Sequence, residues 1–150
     1  MTSPTIYREH GILFEVPPGW DVHEQTDEEG VLTITVNDGA AFWSLTLMWD
    51  RPQIERVLRE ARTAFEEEYE ELDIETVQTK ISRRDAEGYD IQFVCLELIN
   101  WVYLRCFRTG RFTAFVMYQM TDHERDYYLP RFREITESLD IDQDGSVLIE

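Results

Sequence analysis

Alternation of apolar and polar residues is the pattern that most constrains how this chain can fold. Residues 31–37 and 42–50 alternate in this way on either side of Asp38-Gly39, a dipeptide typical of hairpin turns. The pattern predicts two strands with one buried face and an opposite, Ser- and Thr-rich face in contact with water. The residues expected on the buried face are Leu32, Ile34, Val36, Ala41, Trp43, Leu45, Leu47 and Trp49.

Two segments have apolar residues at helical spacing. The first runs from about Pro52 to Leu72, and its apolar residues recur every three or four positions. The second runs from about residue 122 to residue 139 after Thr121-x-x-Glu124, a capping-box pattern, and Pro130 is expected to kink or restart it. The element order is β-β-β-β-α-β-β-β-β-α. It predicts an α+β fold in which an antiparallel β-sheet is packed by two main helices.

The second half of the chain reads as four strands joined by short turns, at about residues 74–83, 89–98, 101–108 and 111–120. A two-residue loop at Ile99-Asn100 would place Cys95 opposite Leu104 and leave Cys106 diagonal to it, too far for a disulfide. A five-residue loop would instead place the two cysteines opposite each other. We expect two unbridged core thiols.

Charge and composition narrow the classes of protein that the sequence fits. The 150 residues include 14 Lys and Arg against 31 Asp and Glu, a net charge of −17, which disfavours binding to nucleic acid or to an anionic membrane. A hydrophobic content of 43% excludes a mainly disordered chain. We expect one domain with a core over residues 5–141 and an acidic tail over 142–150. No leader pattern or long apolar run is present, so a cytoplasmic location is expected.

The opening of the chain resembles a known superfamily. Tyr7-x-x-x-Gly11-Ile-Leu-Phe14-Glu-Val-Pro-Pro-Gly-Trp20, followed by two strands, a long helix, a β-meander and a final helix, looks like the PsbP/Mog-like α/β/α sandwich superfamily. Its members include extrinsic photosystem subunits, Ran-binding regulators and small chaperones that hold apolar segments of type VI secretion effectors. The resemblance implies an adaptor or chaperone-like module that binds without covalent chemistry.

Both faces of the predicted meander are apolar, and two interpretations remain open. Helices could cover both faces, as in a sandwich. Alternatively, one face is incompletely covered and binds a protein partner, an apolar segment, a second copy of the chain in a structural homodimer, or a small ligand. The residues predicted to bind the partner are Trp101, Tyr103, Arg105, Phe107 and Tyr118.

Two acidic segments are secondary candidates. Glu66, Glu67, Glu70 and Glu71 form an acidic patch late in the first helix, which is either a solvated face or a docking site for a basic partner. Asp140, Asp142 and Asp144 match the first half of an EF-hand calcium loop, but Glu150 falls one position short of the bidentate ligand. We therefore expect an acidic tail, with no metal and no cofactor.

Catalytic motifs are missing from the sequence. The three histidines, His10, His23 and His123, are not spaced as metal ligands, and no nucleophile elbow, P-loop or dinucleotide fingerprint occurs. With 31 acidic residues, a pair of neighbouring carboxylates indicates nothing about acid–base chemistry. We expect a protein that is not an enzyme.

Overall fold

The computed structural model describes residues 4–141. Its strands are β1 (Thr5–Glu9), β2 (Ile12–Val16), β3 (Asp21–Thr26), β4 (Leu32–Asn37), β5 (Phe42–Met48), β6 (Asp73–Ile81), β7 (Arg84–Cys95), β8 (Leu98–Arg108), β9 (Thr113–Thr121) and β10 (Asp140–Ile141). Its helices are α1 (Ile54–Glu68) and α2 (Arg125–Ser138).

Seven antiparallel strands form the main sheet, in the order β3-β4-β5-β9-β8-β7-β6. Helix α1 packs on one face, where it contributes Val57 and Leu58 to a cluster with Val102 and Leu104. Helix α2 packs on the opposite face together with the small sheet β1-β2-β10. The predicted α+β architecture, an antiparallel sheet packed by two helices, is confirmed.

The first predicted hairpin forms, with two exceptions to the expected faces. Trp49 lies beyond the end of β5 and is exposed, and Ser44, on the face expected to contact water, is buried. Leu32, Ile34 and Val36 pair with Leu47, Leu45 and Trp43, and all six side chains are buried. The loop is longer than the Asp38-Gly39 dipeptide alone, because β4 ends at Asn37 and β5 begins at Phe42. The face prediction survives this difference because side-chain direction depends only on the parity of the pairing.

Both helices are shorter than predicted. Helix α1 ends at Glu68 instead of Leu72, and Tyr69 is extended and stacks on Phe93 with ring centroids 3.9 Å apart. Carboxylates at a helix C-terminus also oppose the helix dipole, which favours an early end. Helix α2 begins at Arg125 and continues unbroken past Pro130, so the helix does not restart at this proline.

The predicted capping box forms only in part. The Glu124 carboxylate accepts the Thr121 amide proton at 3.2 Å, as expected of that motif. The Thr121 hydroxyl, however, also donates to this carboxylate, at 3.0 Å, instead of accepting a backbone amide. Glu124 itself occupies the N-cap position of α2.

Strand β3 was not predicted. Its sequence, Asp-Val-His-Glu-Gln-Thr, contains a single apolar residue, Val22, and lacks the alternation that identified its neighbours. It forms an edge strand along β4, where Val22 pairs with Val36. An edge strand can be polar because much of its surface faces water.

The turn between β7 and β8 lies three residues earlier than predicted. It comprises Leu96 and Glu97, since Cys95 pairs with Leu98. The predicted Ile99-Asn100 loop is therefore wrong, and Leu98 begins β8 on the α1 face instead of ending β7 on the α2 face. Both cysteines are free. Cys106 pairs with Glu87 and Cys95 pairs with Leu98, so the two cysteines lie at different positions along the β7–β8 ladder.

A hydrogen bond from Tyr128 to Asp38 fastens α2 to the turn between β4 and β5. The Tyr128 hydroxyl donates to Asp38 Oδ2 at 2.6 Å. Although burial raises the pKa of Asp38, the bonds from Tyr128 and from the amides of Ala40 and Ala41 outweigh it, so the net pKa is lowered. The same bond, with burial, raises the pKa of Tyr128 to about 12.

Replacing Tyr128→Phe should destabilise the protein by about 1.5 kcal/mol at pH 7, because a hydrogen bond to a charged acceptor is lost. The lowered pKa of Asp38 makes this contribution present above its ordinary value of 3.8 and lost as pH falls through the folded value. Urea unfolding of both proteins from pH 7 to pH 3 measures it. Tyr127→Phe, at an exposed neighbour, is the control and should change stability little. An unchanged stability in Tyr128→Phe would contradict the assignment.

Candidate functional site

Helix α2 and the small sheet cover the face on which the partner-binding residues were predicted. Tyr103, Phe107 and Tyr118 are 1%, 0% and 3% exposed and belong to the core beneath α2. The interpretation in which helices cover both faces therefore describes the structure. The expectation of an open face is wrong at these three positions, because their side chains are needed to bury α2.

Arg105 lies partly exposed within the sheet and forms an ion pair that the sequence analysis did not anticipate. Its guanidinium lies 2.8 Å from Asp90 Oδ1, at an angle that makes this a charge contact without hydrogen-bond geometry. It also donates to the backbone oxygens of Tyr89 and Leu104. Opposite it, Gly88 allows close approach of the strands, since an added Cβ would overlap the Leu104 carbonyl oxygen. Arg105 thus has a structural position inside the β7–β8 ladder.

Trp101 lies at the margin of the same face and is half-buried. The Arg125 guanidinium stacks over its ring, 4.1 Å from the centroid, and its indole N–H donates to Asp122 at 3.3 Å. These contacts fix the first residue of α2 and the segment before the helix to β8. Of the five predicted residues, only Trp101 and Arg105 retain some solvent access.

An exposed apolar surface exists elsewhere, at the turn that the sequence analysis misplaced. Strand β6 begins opposite Gln92, and β9 ends opposite Asn100. Strands β7 and β8 therefore project beyond both neighbours as a two-stranded ribbon. We call residues 94–98, which end this ribbon, the hairpin tip.

The hairpin tip exposes large apolar side chains. Val94 is 66% exposed, Leu96 is 90% exposed and Leu98 is 38% exposed. Contact between these side chains and water is unfavourable. Burial against a partner would contribute about 25 cal/mol of favourable free energy per Å² of apolar surface. Leu98 lies on the α1 face of the ribbon, since it pairs with Cys95, while Val94 pairs with Ile99 and lies on the opposite face. Scattered exposed apolar residues are ordinary on protein surfaces, but here three occur within five residues at the end of one ribbon.

The backbone of the turn is also unfavourable for its residues. Leu96 and Glu97 have φ values of 53° and 65°, the left-handed pattern of a type I′ turn. Asn-Gly is preferred there because a Cβ disfavours positive φ. The turn between β6 and β7 has the same conformation at Ser82 and Arg83, but the Ser82 hydroxyl accepts the amide proton of Ile141. Leu96 instead points into solvent.

An acidic cleft of about 420 Å³ adjoins the hairpin tip, with which it shares Val94. It lies between the end of α1 and β7, and Tyr69 stacked on Phe93 provides its apolar surface. Burial raises the pKa of Tyr69. The cleft is lined by Glu68, Tyr69, Glu70, Glu71, Leu72, Asp73, Gln92, Phe93 and Val94.

The predicted acidic patch is divided between α1 and this cleft. Glu66 and Glu67 lie in the last turn of α1, where Glu66 accepts a hydrogen bond from Arg62 at 3.1 Å. Glu70 and Glu71 lie beyond the helix and line the cleft. The early end of α1 therefore turns half of the patch from a helix face into the wall of a concave site.

Two of the residues with catalytic or metal-binding potential, Asp140 and Cys106, lie in strands of the fold. No cluster of three or more His, Cys, Asp or Glu side chains within residues 4–141 is arranged to hold a metal ion. Asp140 lies in β10 opposite Leu13, and Asp142 and Asp144 lie outside the described residues. Burial raises the pKa of the Cys106 thiol to about 12, so this thiol is protonated near neutral pH.

His10 is held in a polar cluster at the junction of the two sheets. Its Nε2 lies 3.1 Å from Glu24 Oε1, and the Tyr7 hydroxyl donates to Glu24 Oε2 at 2.7 Å. The Tyr7 bond lowers the pKa of Glu24, with a smaller effect from His10, while burial raises it. Burial first, and then Glu24, raise the pKa of Tyr7. This cluster joins β1 and the β1–β2 turn to β3.

Comparison with solved structures identifies the fold. A cyanobacterial PsbP from Synechocystis sp. PCC 6803 superposes with a TM-score of 0.68 at 12% identity, covering 95% of this chain and 94% of that one. LpqN, involved in cell envelope biogenesis of Mycobacterium tuberculosis, gives 0.54 at 14% identity, with coverage of 93% and 84%. PA94 from Pseudomonas aeruginosa, a protein of unknown function, gives 0.52 at 13% identity, with coverage of 91% and 96%. The chain has a PsbP-like α+β fold.

Searches by sequence give no further assignment. No family model matches the chain, and no curated protein matches it. Neither helix within residues 4–141 combines the length and hydropathy required to cross a membrane.

The double replacement Leu96→Asn/Glu97→Gly should stabilise the protein by about 1 kcal/mol, because Asn-Gly adopts a type I′ turn with less strain. Urea unfolding measures the change. The matched replacement Ser82→Asn/Arg83→Gly should gain less or lose stability, since it removes the Ser82 hydroxyl that binds Ile141. Destabilisation by the first pair would contradict the claim that Leu96 is exposed and dispensable for folding.

Proposed function

We propose that this protein is a non-catalytic protein-binding module, of adaptor or chaperone-like type, and that the hairpin tip is its contact surface. The proposal rests on the exposure and backbone conformation of Leu96. Its side chain is 90% exposed, and its φ of 53° lies in the left-handed region. Both properties are unfavourable for the isolated fold. A residue of this kind is expected where a partner covers it, because clustered apolar side chains on a protein surface mark interaction sites.

The arrangement of the ribbon supports this proposal. The tip projects past β6 and β9, so a partner can approach it from several sides without moving α1 or α2. The core beneath both helices is closed, since Phe107 and Leu104 on opposite faces of β8 are each fully buried. Binding through the tip therefore requires no opening of the sandwich.

We also infer that the chain belongs to the PsbP/Mog-like superfamily, and two observations support this. The superposition on the cyanobacterial PsbP covers 95% of the chain, and the Tyr7 to Trp20 opening forms β1 and β2 and the turn that follows them. Within the core, Tyr7 stacks on Phe14 with centroids 4.7 Å apart, and Trp20 packs on Phe132 of α2. The motif is thus used to join the small sheet to the sandwich. A cytoplasmic location stays a prediction.

Selection from a displayed library of random 12-residue peptides tests the binding function even though the natural partner is unidentified. The wild-type protein is the target, and Leu96→Asn is used for counter-selection. This replacement preserves net charge and suits the left-handed position. We expect enriched apolar sequences whose synthetic peptides bind the wild type at least about tenfold more tightly than Leu96→Asn, as loss of a central apolar anchor implies.

Ile6→Asn is the matched control, because Ile6 is 47% exposed and lies on β1, outside the tip. It should bind the selected peptides as the wild type does. Enriched peptides that do not distinguish wild type from Leu96→Asn, or a selection that yields no enriched peptide, would overturn the proposal. Peptides that respond instead to Trp101 replacement would move the site to the margin of the α2 face.

A structural homodimer that buries the same tip is the second candidate. The exposure of Val94, Leu96 and Leu98 favours it equally as an apolar contact, but charge disfavours it. Two copies meeting at their tips would bring together two acidic clefts in a protein of net charge −17. Sedimentation of wild type and Leu96→Asn across a range of concentrations distinguishes the candidates, since only a dimer through the tip depends on both Leu96 and concentration.

A further inference from the structure

We propose that the segment bound at the hairpin tip is a cationic, apolar peptide segment, whose Lys or Arg side chains enter the acidic cleft while its apolar side chains cover the tip. This inference rests on the proposed function and adds the chemistry of the partner. It is carried by the juxtaposition of the hairpin tip, where Leu96 and Leu98 are exposed, and an acidic concavity lined by Phe93, which lies on the same face of the ribbon as Leu98.

The apolar part of the surface is continuous with the core under α1. Phe93 and Tyr69 stack at 3.9 Å, and Phe65 lies 6.2 Å from Phe93, measured between ring centroids. Cys95 and Leu98 follow on the same face of the ribbon, since they pair with each other two residues along each strand from Phe93 and Asn100. An occupant of the cleft therefore meets aromatic rings at its inner end and aliphatic side chains at the tip.

Charge decides the sign of the occupant. Glu68, Glu70, Glu71 and Asp73 line the cleft, all four are exposed, and Glu97 adds a carboxylate in the turn. None of the nine residues lining the cleft is basic. Negative potential is focused in a concave site, so cations are attracted and a second copy of this acidic chain is repelled.

The end of α1 strengthens the same preference. Its last turn contains Glu66, Glu67 and Glu68 and no basic residue, although a helix C-terminus is stabilised by cations. A Lys or Arg side chain of a bound segment would sit near these carboxylates and near the negative end of the helix dipole. The partner would thus add positive charge near the last turn of α1, where Arg62 of the preceding turn already pairs with Glu66.

Three fluorescein-labelled 12-residue peptides test the inference: alternating Lys and Leu, alternating Gln and Leu, and alternating Lys and Gln. Fluorescence anisotropy measures their affinity for the wild type at 50 mM and 500 mM NaCl. We expect the Lys–Leu peptide to bind at least about tenfold more tightly than either other peptide at 50 mM, and this advantage over Gln–Leu to shrink at 500 mM as charges are screened.

Variants locate the binding. Leu96→Asn should lower the affinity for the Lys–Leu peptide by at least about tenfold. Glu70→Gln/Glu71→Gln should lower the affinity for the Lys–Leu peptide by about fivefold at 50 mM NaCl and leave the affinity for the Gln–Leu peptide unchanged. The matched control Glu28→Gln/Glu29→Gln removes two exposed carboxylates from the β3–β4 connection and should change the affinity less than about twofold.

The outcomes separate this inference from the proposed function. Equal affinities for Lys–Leu and Gln–Leu, both dependent on Leu96, would overturn the cationic partner and leave the binding module standing. Equal affinities for Lys–Leu and Lys–Gln, independent of Leu96, would overturn the inference by reducing it to general attraction to an acidic protein. Failure of every peptide to show Leu96-dependent binding would overturn both.

Discussion

The main constraint on this structure is a sheet that is apolar on both faces in its second half. Val102, Leu104 and Cys106 alternate along β8 with Tyr103 and Phe107, and all five side chains are buried. Water cannot be left in contact with either face, so one helix must cover each. Helix α1 covers one face, and helix α2 with the small sheet covers the other, so neither face of this part of the sheet is open to a partner.

Side-chain parity explains how much of the fold could be predicted. The predicted Ile99-Asn100 loop places Cys95 opposite Leu104, whereas the structure pairs Cys95 with Leu98. This shift of register is an even number of residues, so the assignment of Tyr103, Arg105 and Phe107 to one face survived it. The apolar spacing of α1 was equally informative, because Val57, Leu58 and Phe65 pack on the sheet as expected.

The candidate site could not be predicted because it depends on the turn itself. The turn consists of Leu96 and Glu97, and neither is a residue that favours a type I′ turn. Strand β3 escaped prediction on similar grounds, since edge strands need little apolar surface. The apolar face residues were chosen by hydrophobicity, which indicates burial as readily as binding. The location of the candidate site depends on which apolar side chains are exposed. That exposure depends in turn on the register between β7 and β8.

The hairpin tip and the acidic cleft share one physical logic. Each has a feature that is unfavourable in the isolated chain. At the hairpin tip, apolar side chains contact water, and Leu96 and Glu97 have a left-handed backbone conformation. Beside the cleft, carboxylates lie at the C-terminus of α1. A cationic, apolar segment would relieve the exposed apolar surface and the uncompensated charge together. Leu96 belongs to neither core cluster of the fold.

Mapping by amide NMR tests this account most directly. Titration of the ¹⁵N-labelled protein with the Lys–Leu peptide should shift the amides of residues 93–98 and 68–73 and leave those of α2 and β3 unchanged. Shifts confined to Trp101, Arg105 and the surrounding face of α2 would contradict the account, as would uniform small shifts at acidic residues throughout the chain. The first pattern would indicate that the peptide binds at the sheet face. The second would indicate that it binds through the net charge of the protein alone.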